Sequence, residues 1–282
     1  PLGEDLKIRV LHVLSNPNFK EALKKGYGFR PGMEDFIPAF IQDLRRDRAL
    51  TIDRFLAKSS KEYQTLGKVA IAKIITDCED DNSIFQSDSW YKILYKLICG
   101  YPNLENFGMN KLSILTFNYD RSLEHFLFNQ LLNDYGEKNQ SVILSLLKKV
   151  PIIHLHGRIH MLPWEDSREG CSFASRGFIP NIFEIAEKMI LPNDEIKVLN
   201  EVYQIIEKAE CIYFLGFGHD EINLRKLNIS LISKCNKVFS TSYNLPLVQQ
   251  RMVNNIFGDE IIRFSSVKVY DFLMNEFDPF RN

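Results

Sequence analysis

Three short stretches carry side chains able to do chemistry: TFNYD at 116–120, HLHG at 154–157 and LGFGHD at 215–220. The first offers a carboxamide, Asn118, and a carboxylate, Asp120. The second offers two imidazoles, His154 and His156, followed at once by Gly157. A carboxamide both donates and accepts hydrogen bonds, which suits holding a hydroxyl or an attacking water. An imidazole titrates near neutrality and suits taking a proton from that water. The third stretch contains a Gly-x-Gly, Gly216 and Gly218, a spacing that lets backbone amides approach a phosphate. An Asn and a His meeting beside such a turn would act on a nucleotide.

Each stretch also has a plainer reading. Asn118 and Asp120 are good turn and helix-cap residues. His154 and His156, two apart in a strand, would share a face as satisfied core or rim histidines. Read as an H-x-H metal pair, they lack an evident third ligand. A lone Gly-x-Gly is weak evidence. Asp220 is placed to cap a helix, His219 is expected to be exposed, and His160 is a loop residue. The aromatic-rich runs WYKILYKL and EHFLFNQLL read as core faces, while CEDDN at 78–82 reads as a solvated connector.

The elements that must position these groups follow from periodicity. Apolar runs of strand length fall at 112–116, 151–155, 211–215, 237–241 and 261–264. Helical spacing recurs at 120–134, 141–149, 182–190, 197–208, 222–233, 246–256 and 267–276. This alternation predicts an α/β fold: a Rossmann-like, mostly parallel sheet with helices on both faces. In such sheets the strand carboxyl ends line the ligand crevice, which is where all three stretches begin. Before residue 106 the pattern is helical. Leu6, Val10, Val13 and Leu14 form a stripe, GYGFRPGM at 26–33 breaks it, and a helical block runs to about residue 100. Thr51 is a candidate cap, and Ser59 with Glu62 has capping-box spacing ahead of a helix through Ile75. The organisation expected is an N-terminal core helix in 1–29, a helical lobe over 30–105 and the main core over 106–282. The polar segment 157–180 is long for a loop in a compact domain, as functional or mobile loops are.

Composition narrows the classes. With 35 Lys and Arg against 36 Asp and Glu, the formal charge is -1, leaving no electrostatic footprint for nucleic acid. No apolar run approaches the roughly 20 residues that cross a bilayer. The opening residues show no signal-peptide pattern, and five scattered cysteines with no C-x-x-C give no paired-cysteine zinc site. A cytoplasmic protein with reduced thiols is the expectation. The sequence starts at Pro1 without Met and enters a helix immediately, as a chain lacking its beginning would.

In order and context, Thr116-Phe117-Asn118-Tyr119-Asp120, His156-Gly157 and Leu215-Gly216-Phe217-Gly218 resemble the motifs of the sirtuin-like superfamily. The branch they are most similar to is the bacterial one associated with anti-phage defence. The similarity extends over about 111–265, TSYNLP at 241–246 matches less firmly, and TIDRFL with Asp53 looks like a lobe segment of that branch. The resemblance implies hydrolysis of NAD+ to nicotinamide and ADP-ribose, with NAD+ as substrate and no metal. It implies Asn118 and His156 as catalytic groups, with Asp120 orienting Asn118 or Tyr119 or capping the helix. Thr116, Phe117, Tyr119, Gly157, Gly216, Phe217 and Gly218 would border the substrate. It further implies a homo-oligomer and a defence partner such as a hexameric ATPase or an Argonaute-like subunit, with no nucleic acid or membrane bound directly. Two departures stand out. The family's first strand and Gly-x-Gly-x-Ser loop are not in this sequence, although PLGEDL looks like the segment directly after that loop. The four-cysteine zinc module of deacylases is also missing, which argues against protein deacylation. A non-hydrolytic NAD+ or ADP-ribose-binding regulatory module is the main alternative, followed by a deacylase and by a structural scaffold.

Overall fold

The computed structural model describes residues 3–24, 32–48, 51–99, 103–174, 182–191, 199–258 and 261–277. The expected turn at 26–31 and the end of the polar loop at 175–180 lie outside them. The described part is mixed α/β, with helix dominating and the strands short. It divides into two compact units, each discontinuous in sequence. One comprises 1–82, 116–125 and 154–196; the other comprises 83–115, 126–153 and 197–282.

The first unit is built on helices. Gly3–Ser15 buries Leu6, Val10 and Leu14, the stripe expected from spacing. The long helix Lys61–Cys78 is apolar along much of its girth, and its residues from Leu66 to Thr76 are buried except at Lys68 and Lys73. A helix so covered must lie inside its unit, and the helices Gly3–Ser15 and Ile182–Lys188 pack on it. Its cap is Ser60, whose side chain accepts the Tyr63 N–H. Ser59, the expected cap, instead donates its hydroxyl to the Phe55 carbonyl at 2.7 Å. Thr51 does cap its helix, Ile52–Ala57, accepting the Arg54 N–H. No strand occurs among the described residues of the helical block.

Five strands lie where the apolar runs predict them, each three or four residues long: β1 (Ile114–Thr116), β2 (Ile152–His154), β3 (Ile212–Phe214), β4 (Val238–Thr241) and β5 (Ile262–Ser265). They fall in two sheets among the described residues, β1-β2 and β3-β4-β5. In the first, the Ile114 N–H donates to the Pro151 carbonyl and the Leu155 N–H to the Thr116 carbonyl, both at 2.8 Å. These bonds advance together along both strands, the parallel pattern. In the second unit β3, β4 and β5 pair in parallel, with Phe214 opposite Ser240 and Thr241 opposite Ser265. That register brings three strand carboxyl ends to one edge. The helix expected at 222–233 is two short helices, Glu221–Lys226 and Ile229–Ile232. Asn228 breaks it by adopting a left-handed conformation, φ 59°.

Candidate active site

The TFNYD turn begins where β1 ends. The Thr116 hydroxyl accepts the Asn118 N–H at 3.0 Å, a local bond that closes the turn. Asn118 is exposed and Tyr119 is buried, its hydroxyl donating to the Ile190 carbonyl at 3.0 Å. The Asp120 carboxylate accepts the Ser122 N–H at 3.1 Å, at the entry to the helix Ser122–Tyr135. Its side chain therefore serves the helix start, as its position after a strand suggests.

In the HLHG stretch, extended geometry stops at His154, and Leu155 and His156 form a turn. The two imidazoles accordingly have different neighbours. His156 is 4% exposed. Its ring lies edge-on to Phe117 with centroids 4.9 Å apart and is tilted against Tyr119 at 6.0 Å. Its backbone carbonyl accepts the Ile190 N–H at 2.7 Å. The residues on either side of Asn118 thus both touch the His156 ring. His154 instead places Nδ1 2.7 Å from the Asn118 backbone carbonyl and Nε2 2.6 Å from the Glu124 carboxylate.

Gly157 is required twice over. Its φ is +77°, and a Cβ there would sit 2.4 Å from the Lys188 carbonyl oxygen. The close approach that glycine permits is to the chain's own backbone at 188–190, which ties His156 to the segment that also receives Tyr119. Gly157→Ala should therefore cost at least about 1–3 kcal/mol from backbone strain and overpacking. The denaturant midpoint of the variant checks this; an unchanged midpoint would contradict the packing described.

Beneath the turn lies a buried ion pair. Arg121, fully buried, binds Glu79 through two parallel bonds of 2.7 and 2.9 Å. Its remaining N–H groups donate to the carbonyls of Met161, Cys171 and Ser172 at 2.5–3.0 Å. Glu79 also accepts the Ala174 N–H at 3.1 Å. One guanidinium therefore fixes the described part of the polar loop, 157–174, where Ile159 and Leu162 are fully buried. This corrects the reading of CEDDN as a solvated connector. Asp81 is exposed as expected, but Glu79 is only 5% exposed.

The Gly-x-Gly stretch belongs to the second unit and follows β3. Gly216, at φ +62°, donates its N–H to the Thr241 hydroxyl at 2.8 Å. A Cβ on Gly218 would meet nothing within 4 Å, and its carbonyl accepts from the Gln249 side chain at 2.6 Å. Phe217 stacks on Phe214 with centroids 5.4 Å apart. Asp220 caps Glu221–Lys226, accepting the N–H groups of Ile222 and Asn223. His219, expected to be exposed, is buried among the rings of Phe214, Phe217 and Phe264, with Nε2 3.1 Å from the Ser240 hydroxyl. Burial pushes its pKa from 6.5 down to about 4, against the opposing effect of the Phe217 backbone. Between these values the unfolded chain binds a proton that the folded chain does not, so stability falls as pH drops from about 6.5 towards 4, by up to about 3 kcal/mol. His219→Asn keeps a residue tolerant of the left-handed backbone, φ 51° here, and removes the titration. Unfolding free energies across that range should slope less steeply in the variant; identical slopes would contradict a neutral buried ring.

Two residues that spacing did not single out, Arg121 and Glu124, join the TFNYD and HLHG residues of the first unit. Glu124 carried a signal: it shares a helix face with Leu127, Phe128 and Leu131, and a carboxylate on an apolar stripe demands a partner. Arg121 carried none, because an arginine beside a turn ordinarily reads as solvated. A cavity of about 500 Å³ opens elsewhere in the first unit, between Phe36, Asp43, Phe55, Lys58 and Tyr63. There the Tyr63 hydroxyl donates to Asp43 at 2.9 Å, and burial followed by that carboxylate pushes its pKa up to about 12. No group of His, Cys, Asp and Glu among the described residues is arranged to hold a metal ion, and none of the described helices is long and apolar enough to cross a membrane.

No family model, curated protein or solved structure matches this chain. The functional reading therefore rests on its own residues and on the motif resemblance.

Proposed function

We propose that the chain is an NAD+ glycohydrolase, cleaving the bond between nicotinamide and ribose to give nicotinamide and ADP-ribose. The observation that carries the proposal is the seating of His156 against Phe117 and Tyr119, the two neighbours of Asn118. The turn that carries Asn118 and the turn that carries His156, 38 positions apart in sequence, therefore pack on one another.

The chemistry asks little more of the protein. Nicotinamide is cationic in the substrate and leaves neutral, so its departure needs no acid. What develops is an oxocarbenium-like ribose, as in glycoside hydrolysis. The exposed carboxamide of Asn118 holds a ribose hydroxyl or the attacking water. His156 takes the proton, directly or through a ribose hydroxyl, and its burial keeps bulk solvent from competing. Thr116, Phe117, Tyr119 and Gly157 shape the ribose end of the site. Within the second unit, Gly216, Phe217 and Gly218 lie on a turn at a strand carboxyl end, a position that suits nucleotide contact in α/β sheets. Asp120 acts on Asn118 only through the helix entry it holds. On this reading the protein is an NAD+-depleting effector of anti-phage defence, kept quiet until an assembly or a partner releases it.

The test is incubation of the protein, expressed from its complete reading frame, with NAD+ and chromatography of the products. Nicotinamide and ADP-ribose in equal amounts are expected. Saturable binding without product would replace the hydrolase with a binding module. Nicotinamide release only when an acylated peptide is supplied would replace it with a deacylase.

A further inference from the structure

His154 occupies a position that its partners define closely. Its Nδ1 faces the Asn118 backbone carbonyl at 2.7 Å, and its Nε2 faces a Glu124 oxygen at 2.6 Å. A carbonyl oxygen can only accept, so Nδ1 must donate. Glu124 is 6% exposed, and its carboxylate also receives Arg158 at 3.3 Å, while Arg158 is held in turn by Glu165 at 2.8 Å. Burial favours the neutral acid. The His154 hydrogen bond and charge, the backbone at Glu124 and Arg158 outweigh it, and the carboxyl stays below its ordinary value. The Glu124 contact also needs a proton between ring and carboxyl, and with Glu124 ionised that proton sits on Nε2. A neutral ring beside an ionised Glu124 would satisfy only one of the two partners.

The consequence lies at Asn118. The peptide that supplies the carbonyl to His154 carries the Asn118 side chain at its Cα, and its other end is fixed by the Thr116 hydroxyl on the Asn118 N–H. With both backbone groups of one residue held, the Cα–Cβ direction of Asn118 is set before any ligand arrives, which restricts where its carboxamide can reach. We propose that His154 and Glu124 form a positioning pair, a protonated imidazole bridging a buried carboxylate to the Asn118 carbonyl, that orients the Asn118 side chain. The proposal deepens the hydrolase reading and rests on it for its catalytic consequence, but the pair itself can be tested without substrate. The charges facing the ring are Glu124 from the helix Ser122–Tyr135, with Arg158 and Glu165 behind it from the polar loop. Substitution of the carboxylate therefore acts on the ring directly.

The experiment has two arms. In the first, the full chain is labelled with ¹⁵N-histidine, His154 is assigned by its loss in His154→Gln, and ring nitrogen shifts are recorded at pH 7. Two protonated nitrogens are expected in the parent and one in Glu124→Gln. A neutral ring in the parent overturns the proposal whether or not the protein has activity. In the second arm, NAD+ turnover is compared in the parent, Glu124→Gln and Glu124→Asp. The expected result is a kcat at least tenfold lower in Glu124→Gln with KM little changed, and partial recovery in Glu124→Asp. Parental kcat in Glu124→Gln overturns the positioning role. If the parent turns over no NAD+, the hydrolase reading fails, and amide exchange at 116–120 takes the place of kcat. Faster exchange in Glu124→Gln than in the parent sustains the pair, and equal exchange overturns it.

Discussion

Replacing Arg121 by methionine should destabilise its unit by about 3–5 kcal/mol, the cost of leaving one member of a buried ion pair uncompensated. Side-chain exposure is 0% for Arg121 and 1% for Glu79. The substitution would strip Glu79 of two charge-assisted bonds, leaving it the Ala174 N–H, and would deprive the Met161, Cys171 and Ser172 carbonyls of their donor. Lysine should not rescue, because a single ammonium cannot serve a bidentate carboxylate and three carbonyls in one plane. Adding Glu79→Gln to Arg121→Met should recover part of the loss by removing the orphaned charge. That sign of coupling separates an ion pair from mere volume. Urea unfolding of the two single variants and the double variant measures it, and limited proteolysis within 157–174 reports whether the loop has been freed. A loss below about 1 kcal/mol, typical of exposed pairs, would mean that the guanidinium is not buried as described.

The second large effect concerns turnover. Removing a general base typically costs ~10²–10⁴ in rate, and His156→Ala is expected to fall in that range. Asn118→Ala should also abolish useful turnover, with little loss of stability, since its side chain is exposed. His156→Ala also opens a space beside Phe117 and Tyr119, so His156→Gln is the better-packed companion variant. Combining the Asn118 and His156 substitutions should cost far less than the sum of the single effects, because groups that act as a unit fail together. Strict additivity in the logarithm of the rate would indicate two independent contributions.

Much of this was legible in the sequence, for reasons that differ by element. The five strands were readable because each apolar run is short and bounded by turn residues. The caps at Thr51 and Asp220 were readable because a small polar side chain sits directly before helical spacing. The cap of Lys61–Cys78 was misplaced by one residue because two serines stand side by side, and periodicity cannot choose between them. The break at Asn228 was not legible, since the choice between continuing a helix and entering the left-handed region is made by packing. His219 reads as exposed because a histidine after two glycines looks like a loop residue; Phe214 and Phe217 just before it and the distant Phe264 enclose it. Glu79 sits in an acidic run in which Asp80 is half-buried and Asp81 exposed, so only its partner Arg121, 42 residues later, marks it as buried. The candidate site shows the same division. The residue types point to a chemistry, but His154 and His156 cannot be told apart until the strand is seen to end between them.

The central claim is that Asn118 and His156 act together on NAD+, and one comparison tests it most directly. Parent, Asn118→Ala and His156→Gln, each verified as folded, are incubated with NAD+ under identical conditions, and nicotinamide and ADP-ribose are quantified over time. Equimolar products from the parent are expected, with rates at least ~10²-fold lower in both variants. Parental rates in both variants would place the chemistry elsewhere in the molecule.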